Sequence, residues 1–496
     1  MAEWLPADHL VWFVLDVVEQ LDTSVFHRRH PRSGPGRAAY DPDMLLALLL
    51  YAYAVGERSS RRIEALCRDH VAFRVLCAQD APDHTTIARF RAVHEGAFAD
   101  LFSQVLVLCA QAGMGKIGMV SIDGTKIAAN ASMNANRGEE SLRKLAASII
   151  AEAAEVDAAE DAEHGDARGD ELPSQWADRS GRKDRIKQAL EEIRKQQQDA
   201  EQADQADRTK AEEYLRRVEA GESVRGVPPN GLDPVRLNRA RVARALAQAD
   251  AAAPETEARR EAHRRARRFQ RQLEQAEQAV AAGAVDLDGA AAKFRRRRGN
   301  TNPIANTTDP DSRKMMSRHG FVQGFNAQIA VSDDHLILAT SISQDSNDNS
   351  SFEPMMNAAV AAAAAITDNA EIGIVLADAG YFSQHNLTIA GPDRLIAFGK
   401  NREVKHEANQ HPADGPPPTD ASVKEQMRHR LRTEQGQQAY RRRSATVETM
   451  IAHLKDQVGL RRFSRRGLTA AASELDLAAA VINLRRLHSK TGLATA

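Results

Sequence analysis

YRRRSATVETMIAHLK, residues 440–455, decides how the rest of the chain is read. On a helix running one turn further, Tyr440, Val447, Met450, Ile451, Leu454 and Val458 fall on one apolar stripe. Glu448 lies at the edge of that stripe. Lys455 lies two turns on, almost in line with it. One core-docked helix thus carries a carboxylate and an ammonium along a single flank. Arg441, Arg442 and Arg443 crowd one end, and Arg461, Arg462, Arg465 and Arg466 the other. One acid amid so much positive charge suits a site that holds a metal ion together with an anionic polymer. Taken alone, the stretch reads equally well as a solvated helix with an isolated Glu.

Composition narrows the classes. A chain of 496 residues has room for two or more domains. Its net charge of −1 rules out a global polycation, so any nucleic-acid surface must be built from local patches. Cys67, Cys77 and Cys109 are scattered with no CxxC pair, which argues against a disulfide framework or zinc ribbon and fits a reducing cytoplasm. MAEWLPADHL has no basic n-region, and Asp16 interrupts the run VWFVLDVV, so no signal peptide is expected. Residues 45–55 are apolar but too short to span a bilayer, and no membrane is expected among the partners.

Residues 1–112 read as helical. Asp41-Pro42 precedes a helix over about 43–55, and residues 59–77 follow as a second helical stretch. In AQDAPDHTTIARFRAVH, Asp80, Pro82 and Asp83 make a loop, and Thr85 or Thr86 can cap a short helix carrying Arg89 and Arg91 outward. Helix, turn and helix with basic exposed positions resemble a helix-turn-helix DNA reader; an ordinary helical bundle fits the same pattern.

Residues 117–123 (IGMVSID) read as a buried strand with Asp123 at its carboxyl end, followed by Gly124-Thr125-Lys126. From about 131 to 300 the chain turns rich in Ala, Glu, Gln and Arg. Long helices are expected over 183–217 and 255–281, broken by GVPPNGLDP at 226–234. The segment reads as a helical hairpin or coiled-coil insertion, partly disordered in the acidic stretch 152–171. Residues 259–271 and 295–298 are basic, either as solvated faces or as phosphate contacts. Beyond residue 300, the alternation over 321–331 and 336–342 about Ser332-Asp333-Asp334-His335 predicts a β-hairpin. Ser350 and Glu353 form a capping-box pattern before an Ala-rich helix to about 366. Residues 372–378 (IGIVLAD) are a second buried strand ending in Asp, and 394–399 a short fifth strand. A polar segment, 401–438, leads to the Glu448 helix, and an amphipathic helix over 470–487 closes the chain.

Strand, insertion, hairpin, helix, strand, short strand, helix is the order of an RNase H-like fold. The expected class is α/β: a mixed five-stranded sheet with helices, an all-α N-terminal DNA-binding region and a long helical insertion after the first strand. Two parallel central strands would bring Asp123 and Asp378 together, with Glu448 arriving from a packed helix. Three such carboxylates can hold two divalent ions, and hard oxygen ligands favour Mg²⁺ or Mn²⁺.

These residues carry a family resemblance. The chain resembles the DDE transposases of bacterial insertion sequences, in the branch with a Tyr-Arg-Glu-Lys signature, here Tyr440, Arg443, Glu448 and Lys455. SIDGTKIAANAS around Asp123, LADAGYFS around Asp378, NTTDPDSR, GFVQGFNAQIAV, TSISQDSNDNS and PDHTTIARFR also look like that family. The likeness covers about 5–110, 115–135 and 300–488. It departs from several relatives in placing its long insertion after the first strand.

The resemblance implies an end-binding region at 1–112, a catalytic domain at 113–132 and 301–488, the insertion at 133–300 and a tail at 489–496. It implies a cytoplasmic, nucleoid-associated enzyme acting on double-stranded DNA at inverted-repeat ends, as a homodimer on paired ends. Asp123, Asp378 and Glu448 would be catalytic and ligate two Mg²⁺ or Mn²⁺ ions. Lys455, Tyr440, Arg443 and Lys126 would contact phosphates near the cut, and Arg89 and Arg91 would contact the ends. An RNase H-like nuclease that cuts without joining, and an inactive DNA-binding regulator, are the competing readings.

Overall fold

The structure, a computed structural model, describes residues 2–28, 39–148, 176–222, 224, 228–229, 231–282, 303–317, 320–366 and 371–494. The acidic stretch 152–171, the basic run 295–298 and part of the break at 226–234 lie outside the described residues. Met1–Asn136 and Asn306–Ala496 make one compact unit, and Arg137–Ala305 a second.

The first unit is laid out on β1, Met119–Ala128. Short strands β2 (Asn136–Gly138) and β3 (Ile304–Asn306) pair where the chain leaves and re-enters it. β1 runs antiparallel to β5 (Gly320–Ser332) along Val120–Ala128 but parallel to β7 (Ile374–Ala377) only from Met119 to Ser121. β4 (Arg313–Ser317) and β6 (Ile337–Ser343) both pair with β5, and β8 (Asp393–Ile396) lies parallel beyond β7. Among the described residues this sheet has six strands rather than the expected five. β4 escaped notice because RKMMS buries only Met315 and shows no alternation. Asp123 also does not end its strand: β5 is long enough to template Gly124-Thr125-Lys126 against Gln328, Ala327 and Asn326. The polar face of β5 is not solvated either, for Asn326 and Gln328 are fully buried.

The N-terminal helices of the same unit include α1 (Leu10–Gln20), α2 (Pro42–Ala54), α3 (Ser60–Asp69), α4 (Val71–Leu76), α5 (His84–Val93) and α6 (Phe98–Gln111). Asp41 accepts a hydrogen bond from Asp43 N and Pro42 opens the first turn, so α2 starts where local chemistry favours it. α2 is buried over nearly its whole circumference, which explains an apolar run too uniform to be amphipathic. Among the described residues no single helix is long and apolar enough to cross a membrane. α5 is capped by Asp83, which accepts from Thr85 N and Thr86 N, rather than by either threonine.

In the second unit, α7 (Trp176–Glu219) and α9 (Glu257–Ala281) realise the two expected long helices. A third, α8 (Pro234–Ala251), was not expected, although Asp233 caps it and Pro234 opens it. The unit buries only small apolar groups, Leu142 with Ala189 and Ile193, and Leu215 with Val218 and Leu237. Arg236 pairs with Glu212 and Glu219, Arg264 with Glu257 and Arg265 with Glu261, so much of the basic charge is balanced within the unit.

Returning to the first unit, α10 (Phe352–Ile366) covers the sheet. The capping box expected before it does not form: Ser350 Oγ donates to Asp345 and Glu353 pairs with His385. The polar segment after β8 holds α11 (Asn401–Gln410) and α12 (Val423–Arg432), the latter with a Ser422–Glu425 capping box. α13 (Glu434–Arg443) continues to Gln457 through two wide, π-type turns, Ser444–Glu448 and His453–Gln457. These turns shift the helical phase. The buried line is Tyr440, Arg443, Thr446, Val447, Met450, Leu454 and Val458, with Ile451 half-buried and packed against the core. α14 (Leu468–Ala494) packs on α6, α2 and β6. Arg58, just before α3, donates to the buried Glu474 of α14 at 2.6 Å, tying the N-terminal helices to the end of the chain.

Asp476 on α14 accepts a hydrogen bond from Thr340 on β6, yet burial pushes its carboxyl up to about 6. A carboxyl raised in the folded state binds its proton more tightly there. Its contribution to stability is present at low pH and lost as pH rises through about 6. Asp476→Asn should therefore stabilise the protein by about 1–3 kcal/mol at pH 8 and by much less at pH 4, as read by denaturant melts at both.

Candidate active site

Register brings two of the acids together. Ser121 and Leu376 are the last partners of the parallel pairing between β1 and β7. Asp123 and Asp378 each lie two residues further, so both point to the same face of the sheet. The helix that carries Glu448 is docked there by Thr446 Oγ1, which donates to Ser121 Oγ at 2.9 Å in a buried contact. Three separated parts of the chain thus deliver one carboxylate each.

They converge on Arg443. Its Nη1 lies 3.4 Å from Asp123 Oδ2 and 3.8 Å from Glu448 Oε1, and its Nη2 lies 3.8 Å from Asp378 Oδ2. The guanidinium is 7% exposed against 14% for Asp123, while Glu448 at 56% stands at the mouth. Burial pushes the Asp123 carboxyl up to about 6; Arg443 opposes that rise, and Asp378 and Glu448 add to it. Burial works against the charge on Arg443, but Asp123, Tyr440, Asp378 and Glu448 outweigh it and raise its pKa. Gly124 N donates to Asp123 Oδ1 and Gly380 N to Asp378 Oδ1, each at 2.8 Å, fixing both carboxylates by backbone. Three hard-oxygen donors crowded around a single guanidinium carry more negative charge than it balances. That donor set fits a divalent cation.

The other expected residues divide. Lys455 is half-buried and its Nζ donates to Thr125 Oγ1, which sits two residues past Asp123 on the same face of β1. Tyr440 is buried, with the Arg443 guanidinium 5.9 Å from its ring centre. Arg89 is exposed on α5. Arg91 is not: it is buried and donates to Arg58 O at 2.9 Å and to Ser60 Oγ, so it braces α5 against the loop before α3. Lys126, expected as a phosphate contact, is 13% exposed and its Nζ is 3.2 Å from Asp348 Oδ1. That alternation follows from the strand, since Asp123 and Thr125 face one way and Gly124 and Lys126 the other.

Sequence reasoning missed Asp348, Asn326, Gln328 and Tyr381, which form one polar network behind β1. Asn326 Nδ2 and Gln328 Nε2 donate to Asp348 Oδ1 at 2.7 and 2.8 Å, and the Tyr381 hydroxyl donates to Gln328 Oε1. The available signal was the pair of amides at alternate positions of an otherwise apolar strand, FNAQIAV.

Arg443→Ala removes the cation that the three carboxylates share. It should lower metal-free stability by about 3 kcal/mol, because the poorly solvated Asp123 is left uncompensated. Added Mg²⁺ or Mn²⁺ should close most of the gap, as followed by thermal melts in chelator and in metal.

Comparison with known proteins adds two matches. Residues 1–93 match a family described as a transposase domain (DUF772), and residues 417–488, which include Tyr440, Arg443, Glu448 and Lys455, match a transposase DDE domain. No curated protein and no solved structure matches the chain. The second family implies dependence on a divalent metal, and both imply a DNA substrate. A transposase-domain match at one end and a transposase DDE-domain match around Glu448 at the other support a DDE transposase of an insertion sequence, and the DDE domain indicates a DNA-cleaving and DNA-transferring enzyme.

Proposed function

We propose that Asp123, Asp378 and Glu448 are the metal-holding catalytic residues of an RNase H-like core that nicks DNA at the element's terminal inverted repeats and joins the 3′-hydroxyls to target DNA. One observation carries this reading: acids from β1, the end of β7 and the 444–448 turn stand within 3.8 Å of one guanidinium. The strand order β6-β5-β1-β7-β8, antiparallel on one side of β1 and parallel on the other, supports the RNase H-like assignment. Two bound Mg²⁺ or Mn²⁺ ions would supply an activated water or 3′-hydroxyl and neutralise the leaving oxygen.

The chain's own groups do the rest. Lys455, steadied by Thr125, offers a point charge to a phosphate beside the acids. Arg443, stacked toward Tyr440, keeps the three carboxylates assembled before DNA arrives. The helices of 1–112 read the element ends, with Arg89 on the exposed side of α5. In the insertion, Arg267, Arg268 and Arg271 are exposed along α9 and suit a phosphate backbone. Two ends handled together call for a homodimer on paired ends, acting on nucleoid DNA in the cytoplasm.

Asp123→Asn, Asp378→Asn and Glu448→Gln should each abolish nicking of end DNA while leaving its binding intact or slightly tighter, because each removes a negative charge near phosphate. A variant that nicks at a substantial fraction of the wild-type rate in Mg²⁺ takes its residue out of the site. Joining of a pre-nicked end to plasmid DNA separates a transposase from a nuclease that only cuts. Arg89→Ala should cost about 1–3 kcal/mol of end binding if it reads a base, or reduce the salt slope by about 1 if it touches phosphate. Arg91→Ala should instead lower the melting temperature of the N-terminal helices.

A further inference from the structure

Asp348 is an acid that the chemistry above does not use, and its surroundings are unusually specific. It precedes the turn Asn349–Ser351 but makes no side-chain capping hydrogen bond to it. Its Oδ1 instead accepts from Asn326, Gln328 and Lys126, and the two amides are fully buried. The Oδ1 atom of Asn326 is itself buried with no hydrogen-bond partner among the described residues, so the cluster is not a closed, saturated network.

Two glycines of the active-site strands make room for it. A Cβ on Gly124 would stand 2.6 Å from Asp348 Oδ1 and 2.2 Å from Gln328 Nε2, so no side chain fits next to Asp123. A Cβ on Gly380 would stand 3.0 Å from Asp378 Oδ1 and 3.3 Å from Asp348 Oδ2. The second oxygen of Asp348 and Oδ1 of Asp378 therefore border the same small space, the one a Gly380 side chain would fill. The phenol of Tyr381 is pushed well up, first by burial and then by Asp123, Asp348 and Asp378, which fits all three acids lying close to one ring.

We propose that Asp348 is a fourth acidic member of the site, a positioning residue. Its negative charge, bordering with Asp378 the space beside Gly380, strengthens the hold of Asp123, Asp378 and Glu448 on a divalent cation, and Lys126 offsets it. This rests on the metal-site reading given above. An acid that served only to fasten β1 to β5 would need its hydrogen bonds and not its charge. The two roles separate when the charge is changed from either side of the pair.

The experiment titrates the full-length protein with Mn²⁺, follows free Mn²⁺ by electron paramagnetic resonance, and records melting in chelator. Asp378→Asn marks the site by weakening Mn²⁺ binding; if it binds as wild type does, the metal-site reading fails and this inference with it. Asp348→Asn keeps an acceptor oxygen and a donor in place, so melting in chelator should hold while Mn²⁺ binding weakens about tenfold, as for other groups that act through a ligand. Lys126→Gln should move the other way and tighten Mn²⁺ binding about twofold or more, because it removes a nearby positive charge. A purely structural role predicts no gain from Lys126→Gln. Mn²⁺ affinity unchanged in Asp348→Asn, or weakened in Lys126→Gln, overturns the proposal. If Asp348→Asn does not fold, the sign of the Lys126→Gln shift decides by itself.

Discussion

The rest of the site depends on one charge balance: a buried guanidinium, Arg443, against three carboxylates that reach it from distant parts of the chain. Without a shared cation, Asp123, Asp378 and Glu448 would repel one another; burial first, and then Asp378 and Glu448, push the Asp123 carboxyl up, and Arg443 opposes that rise. With that cation, the acids can stand assembled on a rigid frame. The frame comes from the sheet, where the parallel pairing of β1 and β7 stops at Ser121 and Leu376, and from the helix that Thr446 fastens to Ser121. Fold and site meet at that buried hydroxyl pair.

The wide turns in the Glu448 helix are the second constraint. The apolar stripe from Tyr440 to Val458 packs on the core, with Ile451 at its half-buried edge. The helix widens at Ser444–Glu448 and again at His453–Gln457. Arg443 and Thr446 both lie on the buried line, one facing the acids and the other Ser121. Lys455 reaches Thr125 from the far end of the same helix. Such turns occur often at functional sites, where a side chain must be re-aimed without breaking the helix.

Much of this was legible in the sequence for definite reasons. MVSI and IVLA are short apolar runs buried on both faces, so they read as central strands, and the acid after each was visible. The Glu448 helix announced itself by its stripe, and Lys455 by its place on it. What failed to show depended on contacts between residues distant in the chain. Arg91 reads as an exposed base on a short helix, yet it turns inward to the carbonyl of Arg58. Lys126 reads as a free cation until Asp348 arrives from beyond β6. Asp348 is one acid within a polar run, QDSNDNS, and nothing local separates it from Asp345. The wide turns have no propensity signature, and α11 and α12 were hidden by their polar composition.

The central claim is that Asp123, Asp378 and Glu448 share one divalent cation site, and cleavage of the polypeptide by bound iron tests it most directly. Fe²⁺ is substituted for the native ion in the full-length protein, ascorbate and peroxide are added, and the fragments are sized and sequenced. The account predicts cuts at three separated places in the chain, near Asp123, Asp378 and Glu448, all suppressed together by excess Mg²⁺. A different set of ligand atoms lies within 4.8 Å at His27, Asp41 and Asp43 in the N-terminal helices. Cuts confined to that region, or cuts near only one of the three acids, would contradict the account.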